Sequence, residues 1–381
     1  MSDPTPISLL EKMVAIRTVN PPGEGYRAFQ RFIRGKLREF KIRSRTFEFV
    51  EGKPNLLACI GKGRPHLLLS SHIDVVTPGG GWKTDPFVLS KNRGTLTGRG
   101  VVDAKGSLAA MLTATLAYAN RAKEMSGTLM FAPTTDEETG GFTGLGALAK
   151  HGLTPDCAVI GEPTDLGIAI CQKGVCWYEV IIEGKAAHAA TPQFGINAIE
   201  QACNLVTRLQ SFKPRLNHRL LGRPTRNVGL INGGTATNTV PDRCTISIDR
   251  RLLPRETPQG AEEEVEKELR QLKNTLPQLQ YHVREILTAV PFELSPNLRF
   301  INQVSSAIKL ITRRSPPLKG IYGFTDARHL RPSSKRPAVI LGPGSISQAH
   351  VPNEHMHENQ LTQAARIYEK IIDEVLIKGK H

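Results

Sequence analysis

The first half of this 381-residue sequence predicts an α/β fold, a sheet with helices on both faces. Short apolar runs alternate there with amphipathic or Ala/Leu-rich stretches, as strands and helices in turn do. Leu67-Leu68-Leu69 and Ala158-Val159-Ile160 are continuously apolar, the pattern of fully buried strands. The residues richest in chemistry follow such runs directly, at the carboxyl ends of strands, where ligands gather in these sheets. The length exceeds one ordinary core and implies two domains.

Taken in order, Pro6 to Ile16 sets apolar residues at Ile7, Leu10, Met13 and Val14, an amphipathic helix that Pro6 can start. Asn20-Pro21-Pro22-Gly23 ends it as a rigid loop. A second helix is expected from Tyr26 to Phe40, then strands around Arg45–Phe49, Asn55–Ile60 and Leu67. Ser107 to Ala119 reads as a helix and Thr128 to Pro133 as a strand.

Ser71-His72-Ile73-Asp74 is the stretch around which the rest is arranged. His72 and Asp74, two apart on an extended chain, point to one face. A His held by a carboxylate suits a metal ligand with an orienting partner. Alone, the pair reads better as a hydrogen-bonded surface turn. Asp103 changes that, because it lies in the Gly-rich run Gly98 to Gly106 that opens an apolar helix, where one carboxylate can bridge two cations. The strand from Thr128 delivers Thr135-Asp136-Glu137-Glu138-Thr139-Gly140. An isolated acidic triplet is a solvated turn or a helix start favoured by the dipole. Beside a His-Asp pair, adjacent carboxylates pointing in different directions let one hold a metal while the other handles a proton. Glu162, in Gly161-Glu162-Pro163-Thr164, stands at another strand end, and His350 closes the run from Gly342. His355 and His357 look like a His-x-His pair but sit in a polar segment and read as surface residues.

Composition excludes several classes. With 39% apolar and 22% charged residues the chain is globular, and no apolar run reaches the roughly 18 residues that span a membrane. Met1-Ser2-Asp3-Pro4 has neither the basic start nor the apolar core of a signal peptide. The six cysteines form no Cys-x-x-Cys pair and mostly sit in apolar runs, so they read as buried free thiols of a reducing cytoplasm. The net charge of +15 comes from dispersed Lys and Arg with no aromatic-interleaved stripe. Solubility and attraction of an anionic substrate account for it better than nucleic-acid binding. Neither a nucleic acid nor a membrane is expected as a partner.

Six motifs occur in one order: Ser-His-Ile-Asp (71–74), Gly-Arg-Gly-Val-Val-Asp-Ala-Lys-Gly (98–106), Thr-Asp-Glu-Glu-Thr-Gly (135–140), Gly-Glu-Pro-Thr (161–164), Gly-Lys-Ala-Ala-His (184–188) and Gln-Ala-His (348–350). Each is weak alone. Together, over about residues 8 to 377, the sequence resembles the M20 metallopeptidase/amidohydrolase family, in its acetylornithine deacetylase and succinyl-diaminopimelate desuccinylase branch. The resemblance implies a zinc-exopeptidase-like catalytic domain, a mixed sheet flanked by helices, holding two zinc ions with cobalt or manganese as substitutes. By that resemblance His72 and Glu162 would bind one ion, Glu138 and His350 the other, and Asp103 would bridge them. Asp74 would orient His72, Glu137 would be the general base, and the peptide after Asp103 would be cis. The chemistry is coherent on its own terms. An amide is a poor electrophile, and two cations about 3.5 Å apart both polarise its carbonyl and acidify a shared water. Mixed His and carboxylate ligands suit zinc. A carboxylate whose pKa is raised by its surroundings suits the proton transfer.

The family also implies an inserted α+β lid, a four-stranded sheet with two helices, through which two copies pair as a homodimer. The break falls near Gly174, giving catalytic parts at 1–174 and 290–381 and a lid at 175–289. Val175–Ile182, Asn227–Ile231 and Cys244–Asp249 read as strands, Gly195–Leu209 and Thr257–Leu276 as helices, in β-α-β-β-α-β order. A helix near Leu298–Ile311 and the strand Ala338–Leu341 complete the catalytic sheet. His188 corresponds to the family's oxyanion-stabilising His, often supplied by the partner subunit, and Asn238 resembles a substrate contact near it. Arg251 matches the arginine that grips a substrate α-carboxylate as a fork, and Thr325 is a further candidate contact. Without the resemblance, a His after Ala-Ala reads as structural and paired arginines as a solvated edge.

The sequence therefore predicts a cytoplasmic dizinc amidohydrolase that removes an acyl group from the α-amino nitrogen of a small N-acyl amino acid. A dipeptidase or carboxypeptidase on the same scaffold is the alternative. A non-catalytic binding protein is disfavoured, because every expected ligand is present. Pocket shape, which no motif reports, chooses among acetylornithine, succinyl-diaminopimelate and acetyl-lysine.

Overall fold

A computed structural model describes residues 4–378, which divide into two compact units. The first comprises the chain up to Ile170, Leu294–Lys319 and the residues from Thr325 onward; the second comprises Cys171–Glu293 and Gly320–Phe324.

The first unit is built on a large mixed sheet. Seven of its nine strands run in the order Ser44–Glu48, Pro54–Gly61, Thr128–Thr134, His66–His72, Cys157–Ile160, Ala338–Ile340 and Ile168–Gln172. The centre is parallel: Leu68 lies opposite Met130 on one side and Ala158 on the other, and Val159 opposite Val339. The outer pairings are antiparallel. Leu67, Leu68 and Leu69 are wholly buried, which requires cover on both sheet faces and explains the unbroken apolar run. Because the central strands are parallel, their carboxyl ends at His72, Thr134 and Ile160 emerge on one edge.

The helices follow from their patterns. Pro6–Ala15 starts on Pro6, with the Ser8 amide donating to the Thr5 hydroxyl, a satisfied N-cap. Tyr26–Glu39 buries Tyr26, Phe29, Ile33 and Leu37 on one stripe. Lys105–Ala117 is buried almost all round and packs against Pro6–Ala15 and Glu358–Ile372. A small sheet of Ser90–Asn92, Thr95–Thr97 and His355–His357 has strands too short to show any period in sequence. His355 and His357 are exposed on it, flanking buried Met356.

The second unit is a four-stranded antiparallel sheet in the order Thr225–Gly233, Arg243–Leu252, Gly174–Glu183, Gln280–Ala289. Ala198–Leu209 and Pro258–Thr275 pack on it around Val180, Ile182, Leu205, Ile246, Val265 and Leu269. The first of these helices begins at Ala198 and not at Gly195. Pro192–Phe194 forms a 3₁₀ turn, and the Asn197 side chain caps the amides of Ile199 and Glu200.

All six cysteines are free. Cys157, Cys171, Cys176 and Cys244 are buried, but Cys59 and Cys203 are exposed, which corrects the expectation of buried thiols. Cys59 falls on an outward position of a strand whose inward neighbours are buried, an alternation its apolar surroundings hide. Cys203 lies on the solvent face of Ala198–Leu209. No helix among the described residues is long and apolar enough to cross a membrane.

Candidate metal centre

Strand ends and loops of the first unit converge on one acidic cluster. His66–His72 ends in His72, Thr128–Thr134 leads into the turn Glu137–Thr139, and Cys157–Ile160 leads to Glu162. Asp103 immediately precedes the Lys105–Ala117 helix, across a cis peptide to Ala104, as the resemblance implies. His72 Nε2 lies 3.1 Å from Asp103 Oδ1 and 3.9 Å from Glu162 Oε1. His350 Nε2 lies 3.1 Å from Asp103 Oδ2 and 3.1 Å from Glu138 Oε2. One carboxylate thus turns one oxygen to each of two histidines, and each histidine has its own second carboxylate. His72, Asp103 and Glu138 bring ligand atoms within 4.8 Å of one another.

This cluster fits two divalent cations. Glu138 Oε1 and Glu162 Oε1 are buried acceptors with no hydrogen-bond donor, a cost that a cation removes. Imidazole nitrogen with carboxylate oxygen is a donor set for zinc, and also for cobalt or manganese. The electrostatics agree. Burial, with the Glu162 charge next, holds the Glu137 carboxyl well above the usual carboxylate range. Burial and then Asp103 push Glu138 up to about 7, and burial raises Glu162 well above its ordinary value. Bonds to Asp103 and Glu138 raise His350 to about 10. For His72, burial acts downward but the Asp103 and Asp74 carboxylates outweigh it and hold the imidazole well above its ordinary value. Burial would likewise raise Asp103, yet His350 and His72 keep it low. Acids packed this closely retain protons unless cations replace them.

The three acids of the turn have different surroundings. Asp136, left-handed at φ 75°, pairs with Lys53 at 2.5 Å and accepts from Thr139 and Thr143, so it braces the turn. Asp74 does more than face His72. The His72 Nδ1 donates to the Asp74 main-chain carbonyl at 2.9 Å, with the carboxylate Oδ1 at 3.6 Å. That carboxylate instead accepts from Asn20 and from the Glu137 and Glu138 amides, fixing the turn from below.

Two buried acids at this site escaped the sequence reading. Asp326 Oδ1 accepts no hydrogen bond, with His329 Nε2 at 3.7 Å, and burial pushes the carboxyl up to about 7. The residues after it, Arg328 and His329, both donate to the Gly140 carbonyl behind the acidic turn. Glu354 is wholly buried against the Asp103 loop. Each is a single acid in a polar stretch, with no periodicity to mark it as internal. Thr325 is buried, and its hydroxyl accepts from the Ala327 amide to cap the turn that carries Asp326.

The remaining expected residues belong to the second unit. His188 is exposed, and its Nδ1 accepts the Ala190 amide, which leaves Nε2 as the N–H donor. The Asn238 main-chain carbonyl accepts from the Ala189 amide, so the two segments lie side by side. Arg251 already forks onto Asp249 at 2.7 and 2.8 Å, and Trp177 donates to the same carboxylate. Its neighbour Arg250 is buried between Glu256 and Glu264 and braces the unit.

The sequence profile of Peptidase family M20/M25/M40 matches residues 68–374. An acetylornithine deacetylase of Proteus mirabilis (strain HI4320) is 32% identical over 323 residues, 83% of this chain and 81% of its own. Among solved structures, an M20 family metallo-carboxypeptidase from Sulfolobus solfataricus superposes with a TM-score of 0.81 at 19% identity, covering 98% of this chain and 99% of the other. The Bacillus subtilis YXEP protein, described as a dinuclear metal binding peptidase from the M20 family, gives 0.74 at 17% identity over 96% of both. The chain belongs to peptidase family M20/M25/M40 and is a metal-dependent hydrolase of amide bonds.

Proposed function

We propose that this chain removes the acyl group from the α-amino nitrogen of a small N-acyl amino acid, using two cations held at the Asp103 cluster. The observation that carries the reading is Asp103 itself, with Oδ1 towards His72, which also nears Glu162, and Oδ2 towards His350, which also meets Glu138. His72, Glu162 and Asp103 would hold one ion, and Glu138, His350 and Asp103 the other. When bound, zinc, or cobalt or manganese in its place, would polarise the acyl carbonyl and make water acidic enough to react.

The chain's own groups do the rest. The Glu137 carboxylate takes a proton from the attacking water and returns it to the leaving amine. Its raised pKa brings it closer to the pH at which both transfers run. Asp74 keeps the His72 ring and the Glu137 amide in place. His188 donates from Nε2 to the developing oxyanion, which needs an approach of about 3 Å. Arg251 exchanges Asp249 for the substrate carboxylate, with Asn238 and Thr325 as further contacts. The segment of about residues 175–289, within the second unit, serves as a lid that pairs with its copy in a cytoplasmic homodimer, and His188 of one copy completes the other's site. The deacetylase relative, at 32% identity, favours an acyl amino acid over a peptide as substrate.

A panel of N-acetylornithine, N-succinyl-diaminopimelate, N-acetyl-lysine and unblocked dipeptides, offered to zinc-loaded and cobalt-loaded protein, tests this. Release of acetate or succinate from an acyl amino acid is expected. Cleavage of dipeptides alone moves the reading to a peptidase.

A further inference from the structure

The two halves of the proposed centre are supported unequally. His72 and Glu162 hang from the parallel sheet, where the Ile73 amide donates to Thr134 and the Gly161 amide to Ser70. His350 stands in a loop after the 3₁₀ turn Ile346–Gln348, left-handed at φ 63°, with 53% of its side chain exposed. Among the described residues its ring bonds only to Asp103 and Glu138, the groups a cation would occupy. A ligating imidazole ordinarily gains its aim from a partner on the other ring nitrogen. Here the aim has to come from the loop.

Four residues past His350, the Glu354 side chain enters the Asp103 loop. Oε1 accepts from the Val102 and Asp103 amides at 2.7 and 3.1 Å. Oε2 accepts from Arg99 Nη1 at 2.7 Å and from the Gly100 amide at 3.1 Å, and the Glu354 carbonyl accepts from Gly98 at 3.0 Å. Arg99 is equally buried, donates to the Pro78 carbonyl and lies over the Trp82 ring. A buried ion pair adds little stability that apolar residues would not supply, so its use here is better explained by position. We propose that Glu354, held by Arg99, is the positioning residue that locks the His350 loop to the Asp103 loop. On this proposal its loss weakens the ion on the Glu138–His350 side more than the ion on the His72–Glu162 side. The inference rests on the two-cation reading above.

Glu354→Gln isolates the effect. Four donors converge on two oxygens, and whichever way the amide turns, two of them face its NH₂. Chelator-stripped protein is titrated with Zn²⁺ by calorimetry and with Co²⁺ by visible absorption, and folding is checked by circular dichroism and melting. His350→Ala identifies which binding step belongs to its side. The expected result is two steps in the wild type. In Glu354→Gln the His72–Glu162 step should stay within about threefold while the other falls tenfold or more, with an altered cobalt spectrum. Arg99→Lys keeps the charge but not the fork, and should shift the same step about threefold; it carries the test if Glu354→Gln does not fold. Equal weakening of both steps, or no change, in a folded variant overturns the proposal while leaving two-cation binding intact. A wild type that binds fewer than two ions overturns both.

Discussion

Glu137 and Glu138 are the same residue type, one position apart, yet the proposed function gives them different work. Both amides donate to Asp74, but Glu138 Oε2 meets His350 and its Oε1 has no donor, whereas burial and the Glu162 charge hold the Glu137 carboxyl well above its ordinary range. Glu137→Gln should therefore keep both ions and lose activity by roughly three orders of magnitude or more, while Glu138→Ala loses metal. Metal analysis beside turnover separates the two, and the opposite pattern reverses the assignment. His350 gives a pH signature. Its folded pKa is raised from 6.5 to about 10 by Asp103 and Glu138. A raised pKa contributes stability that is complete below about pH 6.5 and is lost as pH rises towards 10. A chelated preparation should thus melt at progressively lower temperature between those limits, and His350→Ala should flatten that slope. An unchanged slope in the variant contradicts the assignment. Zinc uptake at pH 7 should also release protons, readable as a buffer-dependent heat.

At the scale of elements, close approach around Glu162 is the sensitive point. A Cβ on Gly342 would lie 2.2 Å from the Ser107 hydroxyl and 2.5 Å from the Glu162 carbonyl oxygen. Neither backbone has room to yield, because Leu341 donates to Ile160 and Thr164 donates to Gly342. Gly342→Ala should cost about 1–3 kcal/mol and lower metal content, measured by melting and metal analysis. A fully stable, fully loaded variant would refute the tight fit. Elements of this kind were legible where pattern and burial coincide. The parallel strands show as unbroken apolar runs because both faces are covered, and their ends announce His72 and Glu162. The Lys105–Ala117 helix shows as an apolar stretch after a Gly-rich turn. Three-residue strands such as Ser90–Asn92 carry no period. Glu354 and Asp326 are internal only because distant segments close over them, which no local pattern records. The Asp74 carboxylate was assigned to His72 by spacing, but its hydrogen bonds to the Glu137 and Glu138 amides arise only when two strand ends meet.

For the whole molecule, every proposed metal ligand lies in the first unit and His188 in the second. If the lid of one copy completes the site of its neighbour, two inactive chains can rescue each other. His188→Ala mixed with Glu137→Ala should regain activity once subunits exchange, because some heterodimers then hold one intact composite site. A mixture that stays inactive after confirmed exchange places His188 in its own subunit's site or in none. Whether two cations at the Asp103 cluster serve hydrolysis of an acyl-amino bond is decided by returning zinc stepwise to chelated protein while following N-acetylornithine and its sister acyl amino acids. No turnover is expected in the stripped chain, with a rise that levels at two equivalents per chain. Full turnover without metal, or no acyl release from any of these substrates with two equivalents bound, would contradict that role for the two cations.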